Sequence, residues 1–243
     1  MKNYIVAFIF GLALVLSAFF LSDAIKNRNS SADTISVTGL GSTDFTSDLI
    51  VWNSTFSKKN TELKSAYASL ERDREAIRSY LISKGVKENE IIFSSVSISK
   101  DFENSYDQNY NVRSQIFTGY TLTQSIQVES KEVEKIESVS REVTELINLG
   151  VELYSESPQY YYTKLAELKL KMIAQATQDA KLRAEQIADN AGAKLGKLKK
   201  SDLGVFQIIA QNSSEEYSWG GSFNTYSKKK TATITIKLIY TID

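Results

Sequence analysis

Residues 163–192 read TKLAELKLKMIAQATQDAKLRAEQIADNAG, and this stretch decides the fold. It has no Pro, no internal Gly and few β-branched residues, and it is crowded with Ala, Leu, Lys, Glu and Gln, the strongest helix formers. Leu165, Leu168, Met172, Ile173, Ala176, Ala180, Ala184, Ile187, Ala188 and Ala191 recur at steps of three and four, which gathers them on one helical face. Within that face Ala176, Ala180, Ala184 and Ala188 form a row of small side chains, so a flat neighbour such as a β-sheet can approach the helix axis closely. Gly192 stands where a C-terminal cap takes a left-handed residue.

On the N-terminal side, Thr34 to Leu40 alternates as a strand, and Asp48 to Lys58 does the same with Ile50, Trp52, Ser54 and Phe56 on one face. The two are expected to pair as a hairpin. Gly39 and Gly41 between them read as a turn. A turn is favoured over a phosphate loop because no Lys-Ser/Thr follows at the required spacing and no helix pattern begins there. Asn60 to Lys84 predicts a helix with Leu63, Tyr67, Leu70, Ile77 and Leu81 inward, ended by Gly85. Glu90 to Lys100 predicts a strand, Asp101 to Arg113 a polar loop or hairpin tip, and Gly119 to Ser130 a long strand. Lys131 to Leu149 predicts a second helix ended by Gly150, then a short strand at Val151 to Ser155.

Beyond the long helix, Leu195 to Gln207 has strand character. Gln211 to Tyr226 reads as a loop rich in Ser, Asn and Gly, with Trp219 exposed. Lys229 to Ile242 is the clearest strand of all. Helices ending at Gly85, Gly150 and Gly192, each followed by β structure, predict an α+β fold: antiparallel sheets with helices packed on one face.

The 243 residues contain no Cys and no His. Those two absences exclude disulfides, thiolate and histidine metal sites, and the Ser-His-Asp and Cys-His catalytic routes. Twenty-nine Lys and Arg balance 29 Asp and Glu, so no basic footprint for nucleic acid exists in bulk. Ile5 to Leu21 is apolar but for Gly11 and Ser17, near the lower limit for crossing a bilayer and longer than a typical leader's apolar run. Phe19, Phe20 and Leu21 make a poor cleavage site. The expectation is an uncleaved single-pass signal anchor, with residues 1–30 as anchor and linker. Residues 31–243 then form an exported α+β domain, a division into 31–130 and 131–243 being left open.

Chemistry-bearing residues are few. Asp101, Glu103 and Asp107 share a stretch with Tyr106 and Tyr110, and Glu215 and Glu216 lie near Tyr217 and Trp219. Two carboxyls at the correct separation would suffice for glycan hydrolysis. Tyr160, Tyr161 and Tyr162 look like a binding platform, but neighbours in a strand face opposite ways, so packing ahead of the long helix is expected. Lys197 to Lys200 and Lys228 to Lys230 are short basic runs expected at solvated strand ends.

Several segments together resemble the SIMPL-domain family of exported bacterial proteins: ISVTGLG at 35–41, DLIVW at 48–52, MIAQATQDAKLRAEQIA at 172–188, GAKLGKL at 192–198, and the closing strand through Tyr240. The resemblance implies an α+β domain, export beyond the cytoplasmic membrane and a tendency to self-associate. It carries over no catalytic, cofactor or metal residue, so none is assigned.

The function expected is non-enzymatic. It is that of a protein of the cell membrane, anchored through residues 5–21, its C-terminal domain periplasmic or extracellular, assembling with itself or an envelope partner. The terminal strand, with Ile234, Ile236, Leu238 and Tyr240 alternating, could supply an edge for assembly or lie inside a sheet. The alternatives are a carboxylate-based hydrolase of cell-wall glycans and a lipid or small-ligand binding module.

Overall fold

A computed structural model describes residues 11–22, 33–106 and 112–242. Residues 11–22 are helical (α1). The elements that follow are β1 (Thr34–Thr46), β2 (Leu49–Asn60), α2 (Leu63–Ser83), β3 (Ile91–Phe93), β4 (Ser97–Tyr106), β5 (Val112–Ser130), α3 (Val133–Glu142), β6 (Leu153–Ser155), β7 (Gln159–Tyr161), α4 (Leu165–Asn190), β8 (Leu195–Leu203), β9 (Gln207–Ala210), β10 (Ser222–Phe223) and β11 (Lys229–Ile242). This is an α+β fold, antiparallel apart from the β9–β10 pair.

The chain forms two compact units that interleave along the sequence, one from Thr43–Lys169 and Phe206–Ala232, the other from Met1–Ser42, Leu170–Val205 and Thr233–Asp243. In the first, β2 and β5 pair antiparallel from Ile50↔Ser130 to Asn60↔Tyr120. The strands β3 and β4 pair the far side of β5, and β6 and β7 the far side of β2. Alternation places Ile50, Trp52 and Phe56 of β2 and Leu122, Ile126 and Val128 of β5 in one buried face. Helix α2 adds Leu70, Ile77 and Leu81 to that core, and α3 adds Ile136 and Val139. Burying each such side chain contributes about 1.5–3 kcal/mol. The expected helix to Leu149 is α-helical only to Glu142. Val143–Leu149 tightens to a 3-10 helix and stops at Gly150, whose φ is 74°. β-branched Val143 and Thr144, stiff at χ1, fall where the α-helix gives way.

In the second unit β11 lies between β1 and β8. The β8 register runs from Leu203↔Ile236 to Leu195↔Ile242. Ile35 and Val37 of β1 and Ile234, Ile236, Leu238 and Tyr240 of β11 form its buried face. The alanine row of α4 is wholly buried. The residue facing it is Gly39: a Cβ there would collide with the Ala176 carbonyl and the Ala180 backbone, and one on Gly41 would strike the Met172 carbonyl. Small residues on both sides let helix and strand meet backbone to backbone.

Two expectations change, and one left open is decided. Gly39 and Gly41 are not a turn, because β1 runs straight through them. Strands β1 and β2 do not form a hairpin, since β1 pairs β11 while β2 pairs β5, β6 and β7. Strand β11 is interior along its length, bonded by β1 on one side and by β8 and β9 on the other, so it offers no edge. The anchor expected at residues 5–21 lies partly outside the described residues. Among those described, no helix is long and apolar enough to cross a membrane.

Candidate functional site

The carboxylates singled out above lie in the unit built on β2 and β5. Asp101 sits on β4, where its Oδ2 accepts a hydrogen bond from Thr121 Oγ1 at 2.6 Å and meets Lys59 Nζ at 3.0 Å. Those two contacts hold its carboxyl below the usual range. Glu103 lies two residues along the same strand, and both line a shallow depression with Lys59, Lys100, Phe102 and Thr118. Asp107 lies outside the described residues. A general acid for glycan cleavage needs a raised pKa, and Asp101 is displaced the other way.

Glu215 braces the 211–226 loop instead of presenting a free carboxylate. Its Oε2 accepts from the Ala210 backbone N–H at 2.9 Å and its Oε1 from Asn224 Nδ2. Glu216 lines a depression with Phe223 and Tyr226. Tyr217 is exposed and Trp219 fully so.

Of the stretch 101–113, expected as a polar loop or hairpin tip, the described residues form the far end of a β-ribbon. Strands β4 and β5 stay paired out to Tyr106↔Val112, with an irregularity between Asp101 and Phe102. Phe102 is paired with Phe117, their rings meeting edge to face at 5.8 Å, and Phe117 meets Tyr120 at 5.0 Å. Ile98, Phe102, Ile116 and Phe117 remain exposed. The ribbon thus carries uncovered apolar side chains beyond the core, Phe102 and Phe117 together on one face and Ile116 on the other. Its signal was in the sequence as Ile98/Phe102 and Ile116/Phe117, masked by the polar residues between them.

The run Lys228–Lys230 divides because successive strand residues face opposite sides. Lys228 pairs with Glu137 at 2.6 Å and Glu134 at 3.2 Å on α3. Lys229 is exposed, whereas Lys230 is buried, 1% exposed. Its ammonium donates to the Tyr160 carbonyl at 2.5 Å and lies 5.9 Å from the centre of the Phe223 ring. Burial pushes its pKa down to about 8. Lys230 is not at a solvated strand end, which corrects the expectation made for it. Tyr160 is buried, and the Tyr162 ring meets that of Phe45 at a tilt of 50° with centres 4.9 Å apart, so these tyrosines pack and do not form a common platform.

A family model described as SIMPL, protein of unknown function (DUF541), matches residues 35–237. The chain belongs to the SIMPL family. No curated protein matches it. The SIMPL match takes in β1 from Ile35, the whole of α4 and most of β11. It therefore includes the glycine–alanine contact, the interior strand and the β4–β5 ribbon, while α1 precedes it. Among the described residues of this SIMPL chain, no group of three or more acidic side chains could hold a metal ion.

Proposed function

We propose that this SIMPL chain is a non-enzymatic protein of the cell envelope. It is anchored in the membrane through residues 5–21, with its α+β domain exported, and it works by assembling with copies of itself or with an envelope partner. The observation that carries the reading is the surface of α1. Leu12, Leu14, Val15, Leu16, Phe19, Phe20 and Leu21 are all exposed, on every side of the helix. An all-round apolar helix left uncovered by protein is stable when hydrocarbon covers it. The exposed ribbon residues Ile98, Phe102, Ile116 and Phe117 support the assembling part.

The test is fractionation of cells making the full chain. The protein should stay with membranes through alkaline carbonate washing and leave them in detergent. External protease, added after the outer barrier is opened, should digest the domain. Release by carbonate would overturn the anchor, and protection of the domain from protease would overturn export.

A further inference from the structure

Among the described residues, the unit containing α4 has two free sheet edges, β1 and β8, and they differ in chemistry. Strand β8 carries Lys197, Lys199, Lys200 and Asp202, all exposed, the charged dressing that keeps an edge from pairing. Residues 34–43 of β1 read TISVTGLGST, ten residues without a charge or a proline.

Backbone direction along β1 follows from two bonds. The Asp33 carbonyl accepts from the Ile242 N–H, so odd-numbered residues face β11. The Leu40 N–H instead goes to Asp179 Oδ2 of α4 at 2.8 Å, so even-numbered residues face outward. Asp179, itself paired with Arg183 at 2.9 Å, closes the edge at Leu40. Among the described residues, what stays open outward is the backbone of Thr34, Ser36 and Thr38. Alongside runs a groove of ≈ 550 Å³ between Ser36–Thr38 and the helix residues Leu182, Arg183, Gln186 and Ile187. Leu182 is 53% and Ile187 49% exposed.

We infer that this edge and groove form a self-pairing interface whose occupant is β1 of a second copy. The inference rests on the assembling function proposed above and gives it a location. A neutral edge accepts a neutral strand, and this one is complementary to itself. A two-fold axis at Ser36 sets Ser36 against Ser36 and Thr34 against Thr38 of the second copy, with about six new backbone hydrogen bonds. Thr and Ser opposite one another are favourable cross-strand partners. The same axis lays the two α4 helices side by side on one face of a continuous sheet, so that Leu182 and Ile187 of each copy cover those of the other. Like charges on β8 oppose the equivalent pairing there.

The cysteine-free sequence makes the test clean. Full-length protein in mild detergent is compared as wild type, Ser36→Cys, Lys199→Cys and Ser36→Lys, by sedimentation and by gel after mild oxidation. Opposed Cα atoms at position 36 would lie about 5.5 Å apart, within disulfide range. Ser36→Cys should give a covalent dimer, Lys199→Cys should not, and Ser36→Lys should weaken self-association roughly tenfold or more by placing like charges opposite each other. Ser36 is exposed, so unchanged circular dichroism controls for folding. If wild type assembles but Ser36→Cys does not crosslink, or Ser36→Lys leaves assembly unchanged, this interface is wrong and the assembling function survives. A strictly monomeric wild type at high micromolar concentration would overturn both the interface and self-assembly.

Discussion

Replacing Lys230 by Met should stabilise the protein at neutral pH and remove a specific pH dependence. An ammonium can donate three hydrogen bonds, and the contact described for Lys230 is a single carbonyl, that of Tyr160. No carboxylate is paired with it among the described residues, and the Phe223 ring is a weak substitute. Burial lowers its pKa from 10.5 to about 8. The unfolded chain therefore binds more protons than the folded one between about pH 8 and 10.5, so this group makes stability rise with pH across that window. At about 1.4 kcal/mol for each tenfold step in proton affinity, the full window corresponds to about 3 kcal/mol, and about 2.5 kcal/mol is recovered between pH 7 and pH 10. Lys230→Met, similar in volume and uncharged, should gain roughly 1–3 kcal/mol at pH 7 and lose most of that advantage by pH 10.

The assay is urea unfolding of both full-length proteins in mild detergent, followed by the emission of buried Trp52, at half-unit steps from pH 7 to pH 10. Lys84 and Lys228 have raised pKa values from their Glu partners, and their contributions fall as pH rises, but both proteins carry them and they cancel in the difference. Parallel stability curves for wild type and Lys230→Met would refute the reasoning, since the buried charge would then carry no penalty.

Gly39→Val and Ala180→Leu each force a side chain into the backbone contact between β1 and α4. Each should cost roughly 3 kcal/mol, read from the urea midpoint, whereas Leu170→Ala on the exposed flank of α4 should stay within about 0.5 kcal/mol. Phe102→Ser with Phe117→Ser should leave the thermal midpoint nearly unchanged while reducing capture of any envelope partner in crosslinking of whole cells. Asp101→Asn should remove a stabilising contribution that is present at neutral pH and lost as pH falls through its depressed folded pKa, so the two proteins converge in acid. Iodide should quench the Trp219 share of the emission, and Trp219→Phe should leave the unquenched signal of Trp52.

What could be read from the sequence was whatever depends on neighbours along the chain. The α4 periodicity, its alanine row, and the caps at Gly85, Gly150 and Gly192, all with positive φ, follow from local propensity and sterics. The alternation of β2, β5 and β11 likewise reports which side chains are buried, because a strand has period two. Partners across a sheet are another matter, since hydrogen bonding between backbones is blind to side-chain identity. Hence β1 was matched to its neighbour in sequence, β2, when its partner is β11, about 200 residues away.

Gly39 and Gly41 show the same limit: a glycine that permits a turn and one that admits a helix are identical until the helix is in place. Burial within a basic run also needed the tertiary structure, because Lys228, Lys229 and Lys230 differ only in what the sheet sets against them. Local propensity thus determined most elements and the buried faces of β2, β5, β11 and α4, while Leu63 and Tyr67, expected inward on α2, are exposed. Pairing across the chain decided which strand is interior, which edge lies open, and which lysine is left with a charge it can scarcely solvate.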